Sequence, residues 1–222
     1  MSATRAQRIG IWVIAVFMAV GTIGSFAIII LANDNQKSDQ SRLATLEADY
    51  KKSQAEYQAK VDAQAAVLSE KYFATFNQFV SRPAAFAKDS VTALKTEDII
   101  VGDGEEITAE SSFTAYYIGW NPDGTMFDSS FNADKTALKA PFTATPGGVI
   151  KGWSEGAVGM KIGGARELVI PSDLAYGEAG SGTDIPANTP LKFVMMLIPT
   201  PEVIPQPEIP AALLRYYQTG RL

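Results

Sequence analysis

The sequence predicts an α+β protein: a small, mostly antiparallel sheet with one short helix, preceded by a long helix and an apolar lead segment. Three observations predict it. Past Lys95, short apolar runs alternate with glycine-containing turns, the pattern of paired strands. From Lys37 to Phe79 there is neither glycine nor proline, so the stretch reads as one helix. Residues 9–32 carry no charge at all.

The lead segment reads IGIWVIAVFMAVGTIGSFAIIILA. As a helix it is roughly 36 Å long, enough to cross a hydrocarbon core of about 30 Å. Arg5 and Arg8 precede it, so residues 1–8 are expected in the cytoplasm and the rest of the chain on the far side. The other candidate is a cleaved signal peptide. The run is longer than a usual signal core, and a cut after Ala32 would leave Ile30, not a small residue, two positions upstream. The expectation is therefore a single-pass anchor in the cell membrane with an extracytoplasmic C-terminal domain.

Residues 33–82 are expected to form a helical stalk. Leu43, Leu46, Tyr50, Tyr57, Val61, Leu68, Tyr72, Phe76 and Phe79 recur at spacings of three and four, which makes one apolar stripe. Arg82-Pro83 ends it. The stripe needs a cover. One reading is a coiled coil with a second copy, giving a homodimer. The other packs the later turns, Leu68 to Phe79, on the chain's own globular domain. Residues 83–94 form a connector.

Composition bounds the chemistry. The 222 residues include no cysteine and no histidine. That removes thiolate nucleophiles, disulfides, Cys-based zinc sites and any Ser-His-Asp triad. With net charge −5 and no basic run, there is no footprint for nucleic acid. No glycine run carries the Lys and Ser/Thr of a phosphate loop, so neither a cofactor nor a metal is expected.

Residues 95–198 make up the globular domain. EDIIVGDG, SSFTAYYIGW, GTMFDSS, ARELVIP and LKFVMMLIP read as strands, with turns at NPDG, TPGG, KIGG and EAGSG. A short helix is expected around Trp153 to Val158. Between Lys95 and Ile198 there are seven basic and 14 acidic side chains, a net charge of −7.

The motifs fall in a fixed order: YYIGW at 116–120, DGTMFDSS at 123–130, PF at 141–142, GGVIKGWSEGAVGMKIGG at 147–164 and IPSDLAYGEAGSGTDIPANTPLKF at 170–193. In order and spacing this set resembles the FKBP family, the macrolide-binding peptidyl-prolyl cis/trans isomerases, from about Leu94 to Ile198. The resemblance implies an antiparallel sheet of five or six strands wrapped over one short helix, with a pocket between them. It implies a catalytic set of Tyr117, Phe127, Asp128, Ile150, Trp153 and Tyr176. Phe142, Val149, Ile185 and Phe193 are implied as further contacts to substrate, a proline-containing polypeptide, or to a macrolide. Residue by residue, the large aromatics would look the same as core packing, and Asp128 as a turn residue. Only the joint pattern points to a pocket.

Three residues and one loop depart from the family pattern. Ala144 stands where many members carry a second aromatic, and the 142–149 loop is about two residues short. Ser181 and Asp184 replace a histidine and an apolar residue found in other members. One side of the rim is expected to be more open and more acidic.

Beyond the last strand, 199–222 is a proline-rich tail in which Ala211 to Gln218 could make two helical turns. Its apolar residues suggest docking on the domain or the stalk, or, less directly, across the pocket as an internal proline ligand. The function expected is an anchored isomerase assisting the folding of exported or envelope proteins. The alternative is a non-catalytic module that tethers proline-containing segments at the membrane.

Overall fold

The computed structural model of the chain describes residues 34–220. The expected anchor 9–32 lies outside them. Among the described residues no helix is long and apolar enough to cross a membrane.

Helix α1 spans Asp34–Phe76 and ends in a 3-10 turn at Asn77–Phe79. Six strands follow: β1 Lys95–Ile100, β2 Phe113–Trp120, β3 Met126–Ser129, β4 Phe142–Ala144, β5 Ala165–Ile170 and β6 Leu191–Ile198. Helix α2, Lys151–Gly156, lies between β4 and β5, and helix α3, Ala211–Thr219, follows β6. The strands form one antiparallel sheet in the order β1-β5-β6-β2-β3, with β4 paired to the first half of β2. Strand β4 escaped the sequence reading because three residues, two of them exposed, make no alternation to detect.

The chain divides into two compact units. Of the described residues, one holds 55–206 and the other 34–54 together with 207–220.

In the larger unit the sheet is covered on both faces, which explains why its central strands are apolar throughout rather than alternating. From β2, Phe113 and Ala115 point to the α2 side, while Tyr116, Ile118 and Trp120 point to the other. Strand β6 divides in the same way, with Phe193, Met195 and Leu197 against Val194, Met196 and Ile198. The last turns of α1 supply the second cover: Phe76 and Phe79 are buried, and Tyr72 and Phe73 pack beside them. Of the two covers considered for the late stalk stripe, the chain's own domain is the one observed.

The connector has a structural task. Arg82 Nη1 donates to Glu167 Oε2 at 2.9 Å, and Lys192 Nζ reaches Glu167 Oε1 at 3.2 Å. Trp120 Nε1 donates to the Ala84 carbonyl at 3.2 Å, and the Phe86 N–H to the Pro122 carbonyl at 2.8 Å. These bonds stitch residues 82–86 to the domain.

The proline-rich start of the tail runs along α1. Gln64 Nε2 donates to the Glu202 carbonyl at 2.8 Å, and Gln206 Nε2 lies 3.5 Å from the Tyr57 hydroxyl. In the smaller unit, α3 buries Leu213, and Tyr217 donates to Glu47 Oε1 at 3.2 Å.

Candidate functional site

A cavity of about 470 Å³ opens between α2 and the sheet. Each element around it supplies one or two side chains. Tyr117 comes from β2, Phe127 and Asp128 from β3, Phe142 from β4 and Phe193 from β6. Residues 147–150 lead into α2, whose Trp153 lies at the base; Tyr176 follows β5.

Trp153 is 5% exposed and meets three rings edge-on. Its ring centroid is 5.1 Å from Tyr117, 5.7 Å from Phe142 and 5.3 Å from Phe193, at interplanar angles of 75°, 84° and 86°. Phe127 meets Phe193 edge-on at 5.6 Å. Edge-to-face pairs are the arrangement aromatic quadrupoles favour, so the box is held by its own walls. Gly119 makes it possible: a Cβ there would come within 2.6 Å of both Phe127 and Phe193.

The polar groups divide into used and unused. Asp128 Oδ2 accepts from the Tyr117 hydroxyl at 2.5 Å, and Oδ1 accepts from the Ser129 N–H at 2.7 Å. Lys139 Nζ stands 3.9 Å from Oδ1 with both groups about half exposed, a weak pair. Burial, then the bond to Asp128 and its charge, push the Tyr117 hydroxyl well above the usual tyrosine range. Burial and then the Asp128 charge also raise Tyr176. Both phenols are therefore neutral donors at pH 7. Tyr117 spends its proton on Asp128. Among the described residues the Tyr176 hydroxyl, on a residue 39% exposed at the mouth, has no hydrogen-bond partner. The Ile150 N–H, at the start of α2, likewise has no partner among the described residues.

Nine of the ten residues singled out from the sequence line this cavity. The tenth, Ile185, does not. It is 5% exposed within the core, where it exchanges backbone hydrogen bonds with Ser181 at 2.8 and 3.1 Å. It anchors the 181–185 turn from beneath. Gly147 and Gly148, read from sequence as turn glycines, line the cavity too. Gly147 has φ +73°, and the Gly148 N–H closes the turn on the Thr145 carbonyl at 2.9 Å. Their place directly before Val149-Ile150 was the available signal. Ala144 is buried in the core and leaves the cavity wall to Phe142, which is 40% exposed. Asp184 is exposed; its carbonyl accepts from Asn121 Nδ2 at 2.7 Å. Among the described residues no acidic cluster has the geometry to hold a metal ion.

The model of the FKBP-type peptidyl-prolyl cis-trans isomerases matches residues 104–198, a span that contains every wall of this cavity. An FK506-binding protein of Neisseria meningitidis serogroup A / serotype 4A is 43% identical over 108 residues, covering 48% of this chain and 94% of that protein. A probable FK506-binding protein of Corynebacterium glutamicum is 41% identical over 106 residues, 47% of this chain and 85% of its own. The FKBP-type peptidyl-prolyl cis-trans isomerase FkpA of Escherichia coli K12 is 33% identical over 183 residues, 81% of this chain and 65% of its own, so that likeness runs beyond the sheet domain. An aromatic cavity built across five elements, within a sequence this close to such relatives over nearly their whole length, places the chain in the FKBP-type peptidyl-prolyl cis/trans isomerase family.

Proposed function

We propose that this isomerase is anchored in the membrane by residues 9–32 and acts on X-Pro bonds of exported or envelope proteins. The observation that carries the catalytic part is the cavity itself: four rings around an indole base, with two unspent hydrogen-bond donors at its edge.

The chemistry asks for little else. Rotation about an X-Pro amide faces the barrier of its partial double bond, about 18–20 kcal/mol, and makes and breaks no covalent bond. Resonance in that amide separates charge, and water stabilises the separated form. A pyrrolidine ring seated over Trp153 among Tyr117, Phe127, Phe142 and Phe193 leaves its amide poorly hydrated, which weakens the double-bond character. The twisted amide is then favoured over the planar one, and that difference is what accelerates the step. The Tyr176 hydroxyl and Ile150 N–H suit the carbonyls flanking the proline and fix the chain while the bond turns. Asp128 does not move a proton. It holds the Tyr117 ring upright as a wall.

The volume falls within the range of small-molecule sites, so a macrolide spanning the same walls would compete with substrate. The anchor rests on the charge-free run and the arginines before it. The late turns of the stripe that suggested a homodimer pack on the chain's own sheet, and the tail bonds to α1 at Gln64 and Glu47.

The test is acceleration of cis/trans exchange in a short Leu-Pro peptide by the full-length chain. Trp153→Ala and Asp128→Ala, each still folded by circular dichroism, are expected to lower kcat/KM by about tenfold or more, ~1.4 kcal/mol of transition-state stabilisation. A folded wild-type chain without activity would favour the non-catalytic tethering module. Membrane attachment is tested separately. The full chain should resist alkaline carbonate extraction, and a chain lacking 9–32 should be released; extraction of both would remove the anchor from the proposal.

A further inference from the structure

We propose that Arg166 is a positioning residue for the isomerase cavity: clamped by Asp98, it fixes where α2 ends and therefore where Trp153 sits. This inference rests on the function proposed above.

Strand β5 is the track on which α2 lies. Side chains alternate along a strand, so Arg166, Leu168 and Ile170 share one face. Each meets α2 in turn. A Cβ at Gly152 would come 2.3 Å from Ile170 Cγ2, and one at Gly156 would come 2.8 Å from Leu168 Cδ2. The two glycines thus let the helix down onto the strand with no space left. They set its depth but not its position along the strand. Arg166 sets that position. Its Nη1 donates to the Gly156 carbonyl and the Val158 carbonyl, both at 2.9 Å.

The helix depends on this tie. It has six residues, and its N-cap, Ile150, provides no side-chain hydrogen bond. The last carbonyls of any helix lack partners within it, and a cation at that end is favoured by the helix dipole. Arg166 answers both needs from a side chain only 10% exposed. The guanidinium is itself oriented. Asp98 stands directly across the β1–β5 ladder from Arg166. Its carboxylate takes Nε at 2.6 Å and Nη2 at 3.1 Å, a two-point grip that a lysine ammonium cannot reproduce. Trp153 lies three residues before Gly156, and the Ile150 N–H begins the same helix. A slide of α2 along β5 would move the base of the cavity and a carbonyl-binding donor together. Misplacement of about 1 Å in a catalytic array can cost about a hundredfold in rate.

The experiment compares full-length Arg166→Met, Arg166→Lys and Asp98→Asn with Arg82→Met. The last breaks another arginine–carboxylate pair, to Glu167, the next residue of the same strand on the opposite face. Three readings are taken: kcat/KM on the Leu-Pro peptide, the Trp153 indole N–H resonance (identified by its loss in Trp153→Phe), and the thermal midpoint. Arg166→Met is expected to lose at least tenfold in kcat/KM and to shift the Trp153 resonance. Asp98→Asn should move both the same way by less, and Arg166→Lys should restore neither fully. Arg82→Met should lower the midpoint and leave both in place. The proposal is overturned if Arg166→Met and Asp98→Asn keep kcat/KM within twofold and leave the resonance unmoved. It is equally overturned if Arg82→Met, at a matched loss of midpoint, reproduces both effects. Should Arg166→Met fail to fold, Asp98→Asn against Arg82→Met decides by the same two readings. An inactive wild-type chain would defeat the proposed function instead, while the Trp153 resonance would still judge the clamp.

Discussion

Tyr116 and Tyr117 are neighbours on β2 and face opposite sides of the sheet. Tyr117 turns to the cavity and donates to Asp128. Tyr116 turns to α1, is fully buried beside Tyr72 and Phe76, and its hydroxyl meets no partner among the described residues. An unpaired buried hydroxyl costs about 1–3 kcal/mol, so Tyr116→Phe is expected to raise stability by about 1 kcal/mol at pH 7, read by urea unfolding. A loss of that size would instead reveal a partner. The same burial, and then the Tyr72 charge, push the Tyr116 hydroxyl up to about 12. The folded chain then keeps a proton that the unfolded chain releases above pH 10. The stability it represents is complete below pH 10 and drains away as pH rises toward 12; in Tyr116→Phe that decline should be shallower. The sequence showed that adjacent tyrosines on a strand must part. It could not show which one loses its hydroxyl partner, because the cover over Tyr116 comes from α1, some forty residues earlier. Ile185 illustrates the converse. Position in a motif placed it at the pocket, and the packing of the 181–185 turn placed it in the core.

Among the elements, β2 and β6 were legible because each is an unbroken apolar run bounded by turns. Their apolarity on both faces is explained only once α1 and α2 are seen to cover both sides. Helix α2 was legible as a short helix near Trp153 but not as one tied at its end, since the tie comes from β5 and β1. The Arg166 bond first, and then its charge, hold the Asp98 carboxyl below the usual range against the opposing effect of burial. A lowered folded value means that its contribution is present above about pH 4 and is lost as pH falls through the folded value. Acid unfolding draws on every carboxylate of the chain, not on Asp98 alone. The expected result is therefore a difference: between pH 5 and pH 2, wild type should lose stability more steeply than Asp98→Asn. Parallel curves would mean that the clamp adds nothing beyond a neutral hydrogen bond.

At the scale of the whole chain, the tail is where sequence alone left several destinations open. Its apolar residues argued against a free end, and its prolines allowed docking on the stalk, on the domain or in the cavity. Residues 199–206 run beside α1, through Glu202 to Gln64 and Gln206 to Tyr57, and none of them lines the cavity. The second half forms α3, within the unit that holds the start of α1, with Leu213 buried and Tyr217 donating to Glu47. A segment with that many contacts to α1 serves the stalk. An internal proline ligand would instead have to leave those contacts before it could compete for Trp153. Deleting 207–222 should therefore leave kcat/KM on the Leu-Pro peptide within about twofold, well under the ~1.4 kcal/mol that a tenfold change represents. The half-buried stripe at Leu43, Leu46 and Tyr50 would lose its cover, so proteolysis within 40–54 should speed up in the same variant. A rise in activity on deletion, with the stalk no easier to cleave, would reverse the assignment and put the tail in the cavity.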